Sequence, residues 1–274
     1  MNNFSKLMMA SALVFMFFVP VAEALQISPI NPQLLGKERA TILWLSQPDT
    51  EKKASNTASE SKFSYQVRVY KWSQLNGTDV YADQNEVLAS PPVFQFMGDN
   101  RQGIRLSRIL PAAPVGENAY RIIIDRIPDA NQTASKGLKL QLRYVLSFFD
   151  YGSTLDPDYI PDFTGAVNKV SPAHWKIIPN TAGKNCGNEM KSNPYAYCLE
   201  ITNKGPVHLR LSNIRFTKQS VSNPVYQSSL GLMGYVLPGQ TMRFGLAKWN
   251  SAATTGLKLF TEVKGDEYRI ISNE

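Results

Sequence analysis

The chain has 274 residues, 43% of them hydrophobic and 11% aromatic, with a formal net charge of +7. That apolar share is ordinary for a globular protein, and the length allows one large or two ordinary domains. The basic residues are scattered, with no polybasic block and no basic helix, which reads as a solvated surface and argues against nucleic-acid binding.

Met1 to Lys6 carries one positive side chain, Leu7 to Val21 is an almost unbroken apolar run, and Ala22-Glu23-Ala24 is a small-x-small pattern. Residues 1–24 are therefore expected to be a secretory signal peptide, leaving Leu25 or Gln26 first in the mature chain. No later stretch is long and apolar enough to span a bilayer, so no membrane insertion of the mature chain is expected. The strand signals then follow one another. In residues 63–72, Phe63, Tyr65, Val67 and Val69 alternate with Ser64, Gln66, Arg68 and Tyr70, and Asn76-Gly77 follows as a hairpin signal. Short strands are expected at 93–97, 103–109, 119–127 and 138–149. The polar runs 49–62 and 128–137 read as loops, and 150–162, with a glycine and two prolines, suits a domain boundary.

The second half repeats the pattern, with strands expected at 173–178, 197–203, 207–216, 232–237, 241–247, 256–263 and 267–272. Nowhere is there a sustained helical period with caps. The fold class is all-β: two immunoglobulin-like β-sandwiches, 25–152 and 153–274. The cysteines, Cys186 and Cys198, are expected to pair in an oxidising compartment, and two thiols with no nearby histidine make a poor metal site.

Catalytic chemistry has little to stand on, and no enzyme, cofactor or metal is expected. The chain holds only two histidines. His208 alternates with Val207, Leu209 and Leu211 and reads as a surface residue; no motif surrounds His174. There is no G-x-S-x-G elbow, phosphate-cradling loop or H-E-x-x-H. Asp156 and Asp158 lie in a proline-rich loop and read as turn residues. A secreted adhesive or carbohydrate-binding sandwich is the alternative, although Trp72, Trp175 and Trp249 do not cluster in sequence.

Residues 138–147, LKLQLRYVLS, carry the one feature with a mechanism. Leu138, Leu140 and Leu142, with Tyr144 continuing the row, share one face of an extended strand; Lys139, Gln141 and Arg143 share the other. Leucine in strict alternation is unusual in a strand, where β-branched residues are commoner. The strand follows a polar loop, which favours an edge position. An exposed edge of this kind is an aggregation hazard unless strand addition to a partner is its purpose.

At this point the chain resembles a family, the periplasmic chaperones of pilus assembly by the chaperone–usher route, PapD-like and in a divergent, archaic branch. The resemblance rests on YQVRVYKWSQLNG (65–77), SPPVFQFMGDNRQGIRLSR (90–108), AYRIIIDRIP (119–128), the leucine strand after the following loop, residues 199–216 and VLPGQ (236–240). It implies a boomerang of two immunoglobulin-like domains, a periplasmic location, and pilus subunits and an outer-membrane usher as partners. It further implies donor-strand complementation: the chaperone lends a strand whose alternate side chains, here Leu138, Leu140, Leu142 and Tyr144, fill the groove of an incomplete subunit. The family holds the subunit's C-terminal carboxylate with paired basic residues in the interdomain cleft. This chain has no basic residue before Lys37 in its first strand, and Val145 and Ser147 stand late in the donor strand. Arg105 and Arg143 are therefore the expected anchor, with Arg126 in reserve. An apolar strand without a client needs cover, so a self-capping dimer is an expected state.

Overall fold

The computed structural model describes residues 25–46, 64–96, 101–109, 112–127, 142–162, 166–181, 186, 195–250 and 255–272. The expected signal peptide, residues 1–24, and the leucines Leu138 and Leu140 fall outside them.

The first group of strands is β1 (Gln26–Ser28), β2 (Gln33–Leu35), β3 (Ala40–Ser46), β4 (Ser64–Leu75), β5 (Thr78–Ala82), β6 (Val87–Ser90), β7 (Val93–Gln95), β8 (Arg101–Arg108), β9 (Glu117–Ile127) and β10 (Arg143–Tyr151). They form two sheets, β1-β3-β8-β6 and β2-β10-β9-β4-β5, with β7 also beside β4. Period-two alternation decides what lies between them. Leu43, Leu45, Ile104 and Leu106 point inward from one sheet; Val67, Ile122, Ile124 and Phe148 point inward from the other. Each such buried side chain contributes roughly 1.5–3 kcal/mol. The Asn76-Gly77 hairpin forms as its residues require, with positive φ at both (52° and 81°). One buried ion pair crosses the sandwich: Arg108 of β8 donates from Nε to Asp150 Oδ2 of β10 at 2.8 Å, and its Nη2 meets Asp150 Oδ1. Both side chains are almost fully buried.

A 3-10 turn, Pro157–Tyr159, follows, and Asp156 caps it by accepting from the Asp158 amide. Asp156 and Asp158 both pair with Lys169. The second group is β11 (Ala173–Pro179), β12 (Tyr197–Asn203), β13 (Leu209–Ser212), β14 (Arg215–Thr217), β15 (Tyr226–Gln227), β16 (Leu232–Val236), β17 (Thr241–Leu246), β18 (Lys258–Lys264) and β19 (Glu267–Ile271). Its sheets are β11-β12-β17, β13-β16 and β15-β14-β18-β19. Trp175, Leu199, Ile201, Leu211, Phe216 and Leu259 lie at the centre of its core. Trp175 and Trp249 both pack on Phe216, at 5.4 and 5.2 Å between ring centroids. Cys186 and Cys198 form a disulfide that ties Cys186 to β12. With a sequence separation of 12, the closed loop stabilises by about 3 kcal/mol on a chain-entropy model.

The structure departs from the sequence reading in places. The expected strand 207–216 divides into β13 and β14, because Asn213 takes φ 42° and turns the chain. Its amide is held by both neighbours, donating to Tyr268 Oη at 2.7 Å and accepting from Gln227 at 2.9 Å. Of the expected strand 138–149, residues 138–141 lie outside the described residues, Leu142 is not in a strand, and regular pairing runs from Arg143 to Tyr151. His208 is not a surface residue: it is 9% exposed. Its strand face does point away from Val207 and Leu209, but the first sandwich covers that face. The imidazole stacks on Phe149 at 3.7 Å, and its Nδ1 lies 2.8 Å from Glu117 Oε2. The same carboxylate accepts from the His208 backbone amide at 3.0 Å.

That contact belongs to the joint between the two groups. Trp72, Ala119, Phe149 and Tyr151 pack there against Val207, Tyr235 and Leu237. Gln74 completes it: its Nε2 donates to the Tyr235 carbonyl at 2.9 Å, and its Oε1 accepts from the Leu237 amide at 2.8 Å.

Candidate functional site: the open edge of β10 and the adjoining cleft

Strand β10 has two edges with different histories. On one, β9 pairs with it along its whole length, from Arg143↔Asp125 to Tyr151↔Glu117. On the other, β2 pairs with it only at Phe149, Asp150 and Tyr151. Among the described residues, then, the stretch Arg143–Phe148 has one edge with no strand partner. Its unpaired N–H and C=O groups are a template for another strand.

The faces of this stretch are equally distinct. Leu146 and Phe148 point into the chain's own core, at 8% and 0% exposure. Tyr144 lies one step outward in the same row, partly buried, and its hydroxyl accepts from the Leu25 amide at 2.9 Å. Leu142 precedes the strand and is 38% exposed. Going backward, the row passes from a filled core to solvent. On the other face stand Arg143, Val145, which is 50% exposed, and Ser147.

The two arginines expected to act together are not brought together. Arg105 lies on β8, in the sheet opposite β10, exposed, with its Nε donating to Ser107 Oγ at 3.1 Å. Ile104 and Leu106 point inward beside it, so Arg105 points outward. Arg143 points outward from the other sheet, where its Nε donates to Asp125 Oδ1 at 2.6 Å. The sandwich stands between them, and one carboxylate cannot reach both. Asp125 also accepts from Arg68 Nη2 at 2.5 Å. Burial works to raise the Asp125 carboxyl, but the hydrogen bonds from Arg143 and Arg68 outweigh it and hold it below the usual carboxylate range.

A residue that sequence reasoning passed over stands where the anchor was sought. Arg121 of β9 faces a cleft of about 960 Å³ between the two strand groups, lined also by Asp79, Tyr81, Tyr235 and Arg243. Its guanidinium lies 3.6 Å over the Trp72 ring. Nη1 donates to Ser147 Oγ of β10 at 2.7 Å, Nη2 is 3.7 Å from Asp79 Oδ2, and Nε is buried with no hydrogen-bond partner. One signal for it was available: among the outward residues of β9, Arg121 is a lone cation between Ala119 and Ile123, an odd neighbourhood for a solvated face. Arg243 is tied to Glu200 at 2.7 Å. No cluster of metal-ligating side chains is present among the described residues.

Residues 39–150 match the family model of the pili and flagellar-assembly chaperone, PapD N-terminal domain. The chaperone of the CsuC-CsuE chaperone–tip adhesion subunit pre-assembly complex, from the archaic chaperone–usher Csu pili of Acinetobacter baumannii, is 22% identical, with TM-score 0.60 over 90% of this chain and 97% of that one. The E. coli chaperone DraB is 16% identical, with TM-score 0.52 over 92% and 97%. The Salmonella enterica SafA pilin in complex with the SafB chaperone gives 14% identity and TM-score 0.51 over 91% and 90%. A search of curated protein sequences returns no match. Residues 39–150 thus match the PapD N-terminal domain model, and the chain as a whole shares the two-domain β-sandwich fold of these chaperone structures.

Proposed function

We propose that this protein is a periplasmic chaperone that stabilises pilus subunits by donor-strand complementation and delivers them to an outer-membrane usher. The observation that carries this reading is the half-open edge of β10. An incomplete subunit sandwich pairs with that edge, and the row leading back from Tyr144 through Leu142, Leu140 and Leu138 fills its groove. Two of the similar structures hold such a chaperone with a pilus subunit, which supports the same role here. The domains are 25–152 and 153–274, a division supported by strands that pair within each group. Export by residues 1–24, a disulfide and the family match agree with a periplasmic site of action. The protein works by binding, without catalysis.

The subunit's C-terminal carboxylate enters the cleft and meets Arg121. Its guanidinium is already oriented by Trp72 and Ser147 and keeps one buried N–H unspent. This assignment replaces the pair Arg105 and Arg143. The uncovered edge also favours a self-capped dimer in the absence of a subunit.

Co-expression with the small pilins of the same bacterium, followed by pull-down, tests the reading. The wild-type chain retains a cognate subunit at one-to-one stoichiometry. Replacing Leu140 and Leu142 with glutamate abolishes retention while leaving the urea unfolding midpoint of the free protein unchanged, and retention by the double variant would refute the donor-strand role. Arg121→Ala weakens retention more than Arg105→Ala does.

A further inference from the structure

The outer face of β10's open half carries an unbalanced charge at the very edge a client would join. Arg143 and Arg68 share one carboxylate, that of Asp125, at 2.6 and 2.5 Å. Two guanidiniums against one carboxylate leave an excess of one positive charge. Asp125 is largely buried on the β9 side, with its side chain 11% exposed, whereas the Arg143 side chain is 59% exposed and uses only its Nε in this pair. Arg68 is turned back within the sheet, with Nη1 donating to Tyr70 Oη at 2.9 Å. Arg68 Nε, also unpartnered, is buried, so the trio's spare donors at the surface are those of Arg143, at the end of β10 where one edge has no strand partner among the described residues.

A strand added to that edge places one of its outer-face residues directly beside Arg143, and a second, two positions along, beside Val145. Neighbours across adjacent strands lie within about 5 Å of each other at Cβ, near enough for charge and shape to discriminate. We propose that Arg143 is a specificity-determining residue: it selects client strands bearing an aspartate or glutamate at the position beside it, with an apolar, β-branched residue two positions away beside Val145. Asp125 is the positioning residue that holds the guanidinium flat against the sheet, so the client carboxylate meets it from the open side. This inference rests on the donor-strand reading and adds a register check to it: the leucine row supplies apolar fill on the inner face, and the Arg143 pairing fixes which residue lies opposite which.

The probe is a set of synthetic eleven-residue peptides of alternating valine and threonine. In each, one outer-face position in turn carries glutamate, glutamine or lysine, and binding is read by fluorescence anisotropy in low salt. At one guest position the wild-type protein binds the glutamate peptide roughly three- to tenfold tighter than the lysine peptide, as expected for one cross-strand ion pair exchanged for a like-charge contact. The ratio falls below about twofold in Arg143→Gln and in high salt, and it persists in Arg105→Gln, whose arginine lies on the far side of the sandwich. Peptides that bind with no glutamate preference, or with a preference that survives Arg143→Gln, overturn the inference and leave the donor-strand reading intact. If none of the peptides binds the wild-type protein, the inference falls, and the subunit pull-down decides the donor-strand reading on its own. Leu142→Glu serves as the site control and abolishes binding of the whole set.

Discussion

The two halves of β10 differ less in composition than in how they are held. Tyr144, Val145 and Leu146 are as apolar as Phe149 and Tyr151, yet among the described residues the first three have a strand partner on one edge and the last two on both. The closed half has β9 on one edge and β2 on the other at Phe149–Tyr151, and Asp150 is locked to Arg108 across the core. Among the described residues the open half has β9 alone, with surface-side fastenings at Asp125 and Ser147. Hydrophobicity therefore does not distinguish the closed half of the strand from the open one. The second edge and the cross-sheet ion pair do.

Three changes test how far that contrast goes. Arg108→Ala leaves the Asp150 carboxylate buried and uncompensated and is expected to cost about 3–5 kcal/mol in urea unfolding. A loss under about 1 kcal/mol would mean that β2 pairing alone holds the closed half. Glu117→Ala strips the His208 amide and imidazole of their acceptor beside Phe149, at an expected cost of roughly 1–3 kcal/mol. Its readouts are the unfolding midpoint and a radius of gyration by small-angle scattering that rises as the domains part. The smallest effect belongs to the open half. Asp125 has a depressed carboxyl in the folded state. Its contribution is fully present above the unfolded aspartate value of about 3.9 and is lost as pH falls through the lower folded value. Wild type minus Asp125→Asn stability should therefore be flat from neutral pH down to about pH 5 and shrink below about pH 4. A difference that shrinks already near pH 6 would place the titrating group elsewhere.

Much of this was legible in the sequence. Alternation located β4, β9 and β12 to within a few residues, because each buries one face and wets the other. Of the strands it passed over, β1, β2, β6 and β15 are too short to show a period and β5 is exposed throughout, whereas β3 was missed although it alternates and buries Leu43 and Leu45. The leucine row was visible; where regular pairing begins was not, since Leu142 and Tyr144 look alike in a period-two pattern. The sites that escaped are those made by two domains together. His208 reads as a surface residue on its own strand and becomes buried only when Phe149 and Glu117 arrive from 59 and 91 positions away. Arg121 was hidden for the same reason: an outward arginine becomes a cleft residue only if a second domain closes the cleft. Arg105 and Arg143 were paired by chemistry, and sheet parity separates them.

Gln74 has a consequence for how such a protein can drift over evolutionary time. Its primary amide meets one backbone carbonyl and one backbone N–H, those of Tyr235 and Leu237, as a further peptide unit would. For those hydrogen bonds the second domain is recognised by its main chain, so its side chains there answer only to packing and can be exchanged for others of similar bulk. The constraint is concentrated on the other partner. Glutamate lacks the donor, asparagine falls short by one methylene, and an aliphatic residue leaves both backbone groups dry. Tolerance on one side of the hinge and intolerance on the other would let the C-terminal half diversify quickly while its angle to the N-terminal half is inherited nearly unchanged.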